Sequence, residues 1–254
     1  MLGKYRIERR ISNGPRAAVY QAYDTIHGIK VALKIPHVAD DDEFLDEFRR
    51  EARLSAQMEH PNVLPIYNAC HIDDRFIIAM PLGTETLADR MTRRMASALA
   101  LHLTEQALAA VAHAHSRRII HCDVKPENFI LFDDNRLRLS DFGFSKIATR
   151  PLKASGSGTV GYLAPEQALG RPMFQSDVFS LGLVIYRLFS GQLPEWPYRW
   201  PFPGHGRARD KLRPAALAWL RKALEYRPED RYRDAVAMAA AFNKLKGKVL
   251  RKIG

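Results

Sequence analysis

The residue pattern of this 254-residue chain changes once, near Gly83, and that change restricts its fold more than any other feature. Before it, short β-branched and aromatic runs alternate with turn residues. Tyr5-Arg6-Ile7 leads into Ile11, Val19 to Tyr23 follows Asn13-Gly14-Pro15, and Val31 to Ile35 follows His27-Gly28, a succession that predicts strands. Asp40 to Glu43 is an acidic run suited to a helix N-terminus. Phe44, Leu45, Phe48, Ala52, Ser55 and Met58 then recur at helical spacing as far as His60-Pro61. Val63 to Tyr67 and Phe76 to Met80 read as two more strands. After Gly83 the pattern is helical. Leu99 to His115 predicts an Ala/Leu-rich helix, and further helices are expected around 176–189, 214–226 and 233–247. Between them lie a short hairpin, Phe129–Leu131 against Leu137–Leu139, and a Ser/Gly/Thr-rich loop over 144–163. Strands first and helices after predict an α+β chain in two lobes. The first, about 1–82, would be a small antiparallel sheet with one helix. The second, about 87–254, would be larger and mainly helical, with a hinge at about 80–86.

Composition narrows the setting. With 46% hydrophobic and 26% charged residues the chain can bury a core, and no apolar run reaches the roughly 18 residues of a membrane span. Met1 to Arg6 lacks the apolar core of a signal peptide, and Cys70 and Cys122 are the only cysteines. Both points predict a cytoplasmic protein with two buried thiols. Charge is unevenly divided. Residues 1–82 hold 11 Lys and Arg against 12 Asp and Glu, whereas residues 83–254 hold 28 against 16. A basic second lobe can attract anionic partners, or it can be a solvated arginine-rich surface. No aromatic-interleaved recognition signature accompanies it, so nucleic acid is not an expected partner.

The chemistry concentrates in His121-Cys122-Asp123-Val124-Lys125-Pro126-Glu127-Asn128, followed by Asp141-Phe142-Gly143. Asp123 can orient a hydroxyl and accept its proton. Asn128 and Asp141 are hard oxygen ligands suited to Mg2+ (or Mn2+), and Lys125 can neutralise charge on a transferred phosphoryl group. Each short motif taken alone fits a surface pair, a turn residue or a cap equally well.

Taken in order along the chain, these pieces resemble a eukaryotic-type (Hanks-type) protein kinase of the serine/threonine class, in the compact form found in bacteria. The resemblance implies a bilobal protein-kinase-like fold filling residues 1–254. It also implies a phosphotransferase that uses ATP and magnesium on protein Ser/Thr acceptors, and on itself. Lys34 in Val31-Ala32-Leu33-Lys34 would contact the α- and β-phosphates and pair with Glu51. Asp123 would be the catalytic base, Lys125 would contact the γ-phosphate, and Asn128 and Asp141 would hold metal. Ser12, Asn13 and Gly14 would cover the phosphates. Val19, Ala32 and Ile130 would enclose adenine, with hinge contacts from Met80 to Leu82 and a gatekeeper at Ala79 or, one residue on, Met80. Glu166 of Ala164-Pro165-Glu166 would pair with Arg231, and Asp177 would anchor the catalytic loop. Thr159 matches the threonine that touches the catalytic aspartate. Lys125-Pro126-Glu127 fits the serine/threonine class, and Glu127 suggests a basic residue on the peptide.

The chain departs from this family in three places. Where G-x-G-x-x-G is usual it reads Ser12-Asn13-Gly14-Pro15-Arg16-Ala17. Pro15 at the tip has no N–H to offer a phosphate, and Arg16 either substitutes or points to water. Cys122 replaces the arginine of His-Arg-Asp, which normally grips a phosphate on the activation loop. Loop phosphorylation at Ser155, Ser157 or Thr159 is then not a strict on-switch. Only 39 residues separate Gly191 from Arg231, and Trp196-Pro197-Tyr198-Arg199-Trp200-Pro201-Phe202-Pro203 occupies the shortened region. Its proline spacing predicts an extended, polyproline-like strip. That strip would either dock a partner through Trp196 to Phe202 or cover neighbouring helices. Two rival functions remain: a nucleotide-binding pseudokinase scaffold, supported by the altered glycine loop, and an anionic-surface or nucleic-acid binder, supported by charge alone.

Overall fold

The computed structural model describes residues 1–37, 42–144, 146–147, 160–245 and 247–250. Its first part is a single antiparallel sheet in the order β1-β2-β3-β5-β4. The strands are β1 (Tyr5–Asn13), β2 (Ala17–Asp24), β3 (Ile29–Pro36), β4 (Asn68–Ile72) and β5 (Arg75–Pro81), and α1 (Asp42–Ala56) connects β3 to β4. Side chains alternate across the pleat, so each strand serves two environments. Val31, Leu33 and Ile35 pack with Tyr5, Ala22, Ile77 and Ala79 on one face. On the other, Phe48 and Ala52 of α1 pack against Ile78 and Met80. Burying Phe48 to 3% exposure is worth about 1.5–3 kcal/mol, and it seats α1 on the sheet.

The second part is mainly helical. A two-residue strand β6 (Glu85–Thr86) and a short α2 (Leu87–Arg90) precede the long α3 (Ser97–Ser116). Ala100, Leu103, Ala107, Ala110, Val111 and Ala114 form the buried stripe of α3, at the i, i+3, i+4 spacing of one helix face. β7 (Ile119–Ile120), β8 (Phe129–Leu131), β9 (Leu137–Leu139) and β10 (Lys146–Ile147) make two small sheets beside it. Then follow α4 (Pro165–Ala168), α5 (Phe174–Ser190), α6 (His205–Lys211), α7 (Pro214–Ala223) and α8 (Ala235–Asn243). α5 is buried almost all round and forms the axis of this part. Its buried polar groups are matched, as burial requires: Ser180 Oγ donates to the Tyr162 carbonyl at 2.7 Å, and Ser176 Oγ to Glu166 at 2.7 Å. No helix of the described residues is long and apolar enough to cross a membrane.

The two-part α+β reading holds, with local differences. Residues 63–67 are not a strand. Val63 makes one isolated bridge to Leu139, and the pairing strand begins only at Asn68. Pro65 lies inside the expected run and cannot donate to a ladder, which accounts for the shift. The strip after α5 is not polyproline-like either. It bends at Trp196-Pro197 and Trp200-Pro201, both cis, and Tyr198, Trp200 and Phe202 pack against Phe179 and Tyr186 of α5. Tyr186 Oη donates to the Phe202 and Pro203 carbonyls, at 3.0 and 2.9 Å. Of the strip's aromatic rings only Trp196 stays well exposed, so the rings mostly cover the helix. Asp40, Asp41, Ser155, Ser157, Thr159 and the side chain of Phe44 lie outside the described residues.

Candidate active site

A cavity of about 200 Å³ opens between the sheet and the helical part, lined by Ser12, Gly14, Val19, Lys34, Asp123 and Lys125 among others, with Glu51, Asp141 and Gly143. On the sheet side, register brings the cavity residues together. Lys34 pairs with Val19 across β2 and with Ile78 across β5, so its side chain points to α1. There its ammonium donates to both Glu51 oxygens, at 2.7 and 2.8 Å, and to Asp141 Oδ1 at 3.2 Å. Burial alone would lower the Lys34 pKa, but the two carboxylates outweigh it and hold the pKa well above the ordinary lysine value. Burial likewise works against ionised Asp141, yet Lys34 and then His121 draw its pKa below the usual carboxylate range. Gly143 fits because a Cβ there would lie 3.1 Å from Glu51 Oε2 and 3.2 Å from Asp141 Oδ1.

On the helical side, one carboxylate shapes the catalytic stretch. Asp177 of α5 accepts from the His121 amide at 2.6 Å, the Cys122 amide at 2.9 Å and His115 Nε2 at 3.0 Å. Cys122 itself adopts a left-handed conformation, with φ of 67°. That conformation costs about 1–2 kcal/mol for a residue other than glycine. His115 Nδ1 accepts from the Ala235 amide, which leaves its proton on Nε2 for Asp177. His121 is fixed in the same way: Nδ1 accepts from the Asp123 amide and Nε2 donates to the Ser140 carbonyl. Its ring meets Phe142 edge-on at 4.8 Å.

Asp123 emerges from this frame with Lys125 Nζ 2.8 Å and Asn128 Nδ2 3.0 Å from its Oδ2. Asn128 also donates to the Asp123 carbonyl, so its Nδ2 is engaged and its Oδ1 is the atom left to serve as an oxygen ligand. Ser140 donates through both N–H and Oγ to the Asn128 carbonyl, which ties Asn128 to Asp141. An amide oxygen and an ionised carboxylate suit a hard divalent cation. Asn13, Ala32, Met80, Leu82 and Ile130 do not line this cavity; Asn13 ends β1, Ala32 and Met80 lie on β3 and β5, Ile130 on β8, and Leu82 follows β5. Gly83 is obligatory there, since a Cβ would meet Ile130 Cγ2 at 2.2 Å and the Leu131 carbonyl at 2.7 Å.

Three expectations meet local packing. Ala79 is wholly buried in the outer sheet core, whereas Met80 pairs with Ala32 and faces α1 on the cleft side. Arg16 does not point to water; its guanidinium lies over the Phe48 ring at 5.7 Å and lines the cavity. Cys122 is buried as expected, with Sγ 3.7 Å from the Ile120 carbonyl, but Cys70 is only half-buried. The reading of residue types missed His37, whose Nε2 donates to the Gly14 carbonyl at 2.7 Å and holds the loop tip down. Further from the cleft, Arg231 grips Glu166 through both Nη atoms, at 2.8 and 3.1 Å.

Comparison with known proteins agrees with this geometry. The family model described as "Protein kinase domain" matches residues 5–202. The chain is 36% identical over 201 residues to the serine/threonine-protein kinase PrkC of Bacillus subtilis, covering 76% of this chain and 31% of that protein. It is 32% identical over 209 residues to PknA of Mycobacterium tuberculosis, covering 76% of this chain and 48% of the relative. With the probable serine/threonine-protein kinase PknB of Lactococcus lactis it shares 33% identity over 201 residues, 75% of this chain and 32% of that protein. These matches span between a third and a half of the relatives' lengths.

Proposed function

This chain belongs to the protein kinase family, and we propose that it transfers the γ-phosphoryl group of ATP to serine and threonine hydroxyls of proteins, itself included. The observation that carries this reading is the shared cavity. Asp123, braced by Lys125 and Asn128, faces the same space as the Lys34–Glu51–Asp141 cluster. Phosphoryl transfer asks little covalent chemistry of a protein and much positioning and charge neutralisation, which is what these groups offer. Lys34, kept charged, binds the α- and β-phosphates. Asp123 orients the acceptor hydroxyl and takes its proton, while Lys125 meets the charge of the moving group. Asp141 and Asn128 would hold magnesium, which would supply further charge neutralisation for the transferred group.

Val19, Ala32 and Ile130 enclose adenine, and Met80 is the gatekeeper. Pro81 has no N–H, so it meets adenine through its carbonyl, with Leu82 and Gly83 completing the hinge. Ser12, Asn13 and Gly14 cover the phosphates, and Arg16 replaces part of what Pro15 cannot donate. The test is transfer of labelled γ-phosphate to a generic Ser/Thr substrate and to the protein itself. Asp123→Asn and Asp141→Asn should each lower it by about 10²–10⁴-fold. Equal signal from all three proteins would reject the reading in favour of a nucleotide-binding scaffold.

Activation follows from Cys122. A buried thiol beside the Ile120 carbonyl supplies no cation for a phosphorylated loop. The kinase therefore works without strict loop phosphorylation. Replacing Ser155 and Ser157 together by alanine should leave transfer within a few-fold of wild type; abolished activity in a folded protein would contradict this.

A further inference from the structure

A second cavity is larger than the cleft. About 740 Å³ opens between the α2–α3 connection, the end of α5 and α6, and its walls carry Arg93, Arg94, Arg187, Arg207 and Lys211. The cations differ in what they already hold. Arg93 is spent on Glu85, with Nη2 2.6 Å from both oxygens. Arg187 donates to Tyr162 Oη at 2.7 Å, and Lys211 to the Phe189 carbonyl at 2.9 Å; both partners are neutral. Arg94 and Arg207 have no side-chain hydrogen bond or ion pair among the described residues, and no described carboxylate pairs with Lys211. Burial first, and then the charges of Arg207 and Arg94, push the Lys211 pKa below its ordinary value.

The helix geometry adds to this field. α3 starts at the rim, with Ala96 and Ser97 in the wall. Its N-terminus has no side-chain cap and no acidic residue in its first turn, so its partial positive charge is not offset locally. Methionines 91 and 95 give the basin adaptable apolar walls. Apart from Glu85 on Arg93, no described carboxylate pairs with these cations, and an anion would relieve their crowding.

Its position names the anion's source. Arg187 touches Tyr162, which lies three residues before Pro165 and close enough to Glu127 to feel its charge. Glu127 stands two residues after Lys125. The basin is thus one contact away from the segment that would present the acceptor hydroxyl.

We propose that this basin docks an acidic segment, rich in Asp and Glu, of the protein whose hydroxyl is phosphorylated. The word substrate here rests on the phosphotransfer reading above; the docking itself does not. Two measurements keep them separate. In the first, a fluorescent peptide with an Asp/Glu run is titrated with the 254-residue chain and followed by anisotropy, without ATP. Binding should weaken about tenfold or more in Arg94→Ala/Arg207→Ala, and further in Arg94→Glu/Arg207→Glu. Both replacements fall on exposed side chains, and a thermal melt checks that each variant is folded. In the second, kcat/KM is compared for a Ser/Thr peptide with that acidic run and for the same peptide with Gln and Asn in its place. The wild-type preference for the acidic peptide should be lost in the double variants. Unchanged anisotropy in the variants would overturn the proposal. So would tighter, steeply salt-dependent retention of a single-stranded oligonucleotide through the same arginines. Variant-sensitive binding without phosphorylation of either peptide would leave the docking site standing and sink the phosphotransfer reading instead.

Discussion

Two cavities in this molecule use cations in opposite ways. In the cleft, Lys34 lies between Glu51 and Asp141, and its pKa rises above the ordinary lysine value. In the basin beside α6, Lys211 lies near Arg94 and Arg207, and its pKa falls. The same side chain is compensated in one place and crowded in the other. The cleft resembles a finished electrostatic structure, its ammonium already matched by two carboxylates. The basin is completed only when something negative enters. Removing a cation should therefore harm one region and relieve the other.

The largest effect is expected in the cleft. Lys34→Met leaves Glu51 and Asp141 together without the ammonium they share, and breaking a buried pair in this way costs about 3–5 kcal/mol. Urea unfolding should show that loss alongside a drop in transfer of about 10²-fold or more. A variant as stable as wild type would mean the cleft is not compensated as described.

An intermediate effect separates the two lysines by pH. Lys34, with its folded pKa raised above the unfolded value near 10.4, contributes stability that is complete below that value and lost as pH rises through the folded one. Lys211 has the opposite sign: its charged form is disfavoured by folding, and deprotonation relieves that cost. Raising the pH toward the ordinary lysine value of about 10.4 should weaken acidic-peptide binding while nucleotide affinity holds. Parallel loss of both would erase the distinction.

The smallest effect has the reverse sign. Arg207→Gln removes one of three crowded charges and should raise stability by a few tenths of a kcal/mol at low salt, with the gain fading as salt increases. A denaturant midpoint that falls instead would show that Arg207 has a stabilising role not visible in its contacts.

The sequence carried the cleft and hid the basin, for a physical reason. Cleft residues sit in short motifs whose spacing is fixed by local backbone, such as Asp123 with Asn128, or the hairpin Phe129–Leu131 with Leu137–Leu139. α3 was equally legible, because its apolar stripe repeats at helical period over 20 residues. The gatekeeper was ambiguous by one position, since nothing local distinguishes Ala79 from Met80. Cross-strand pairing sets Met80 opposite Ala32, and a one-residue step moves a side chain to the other face. Basin residues come from the α2–α3 connection, the end of α5 and two positions on α6, with no shared period. Their charge showed only as the surplus of the second part, and its concentration needed the fold. Arg16 and the aromatic strip were open in the same way: a guanidinium on Phe48, or rings on α5, depends on what tertiary packing offers.

Asp177 ties together pieces that are far apart in the chain. One carboxylate holds two catalytic-loop amides and the His115 ring, and that ring receives the first amide of α8 through its other nitrogen. A local opening of the loop would strip both amides at once from a buried charge that also binds α3. The catalytic loop is thereby denied independent breathing: the amides of His121 and Cys122 should exchange with solvent only when α3, α5 and α8 come apart together.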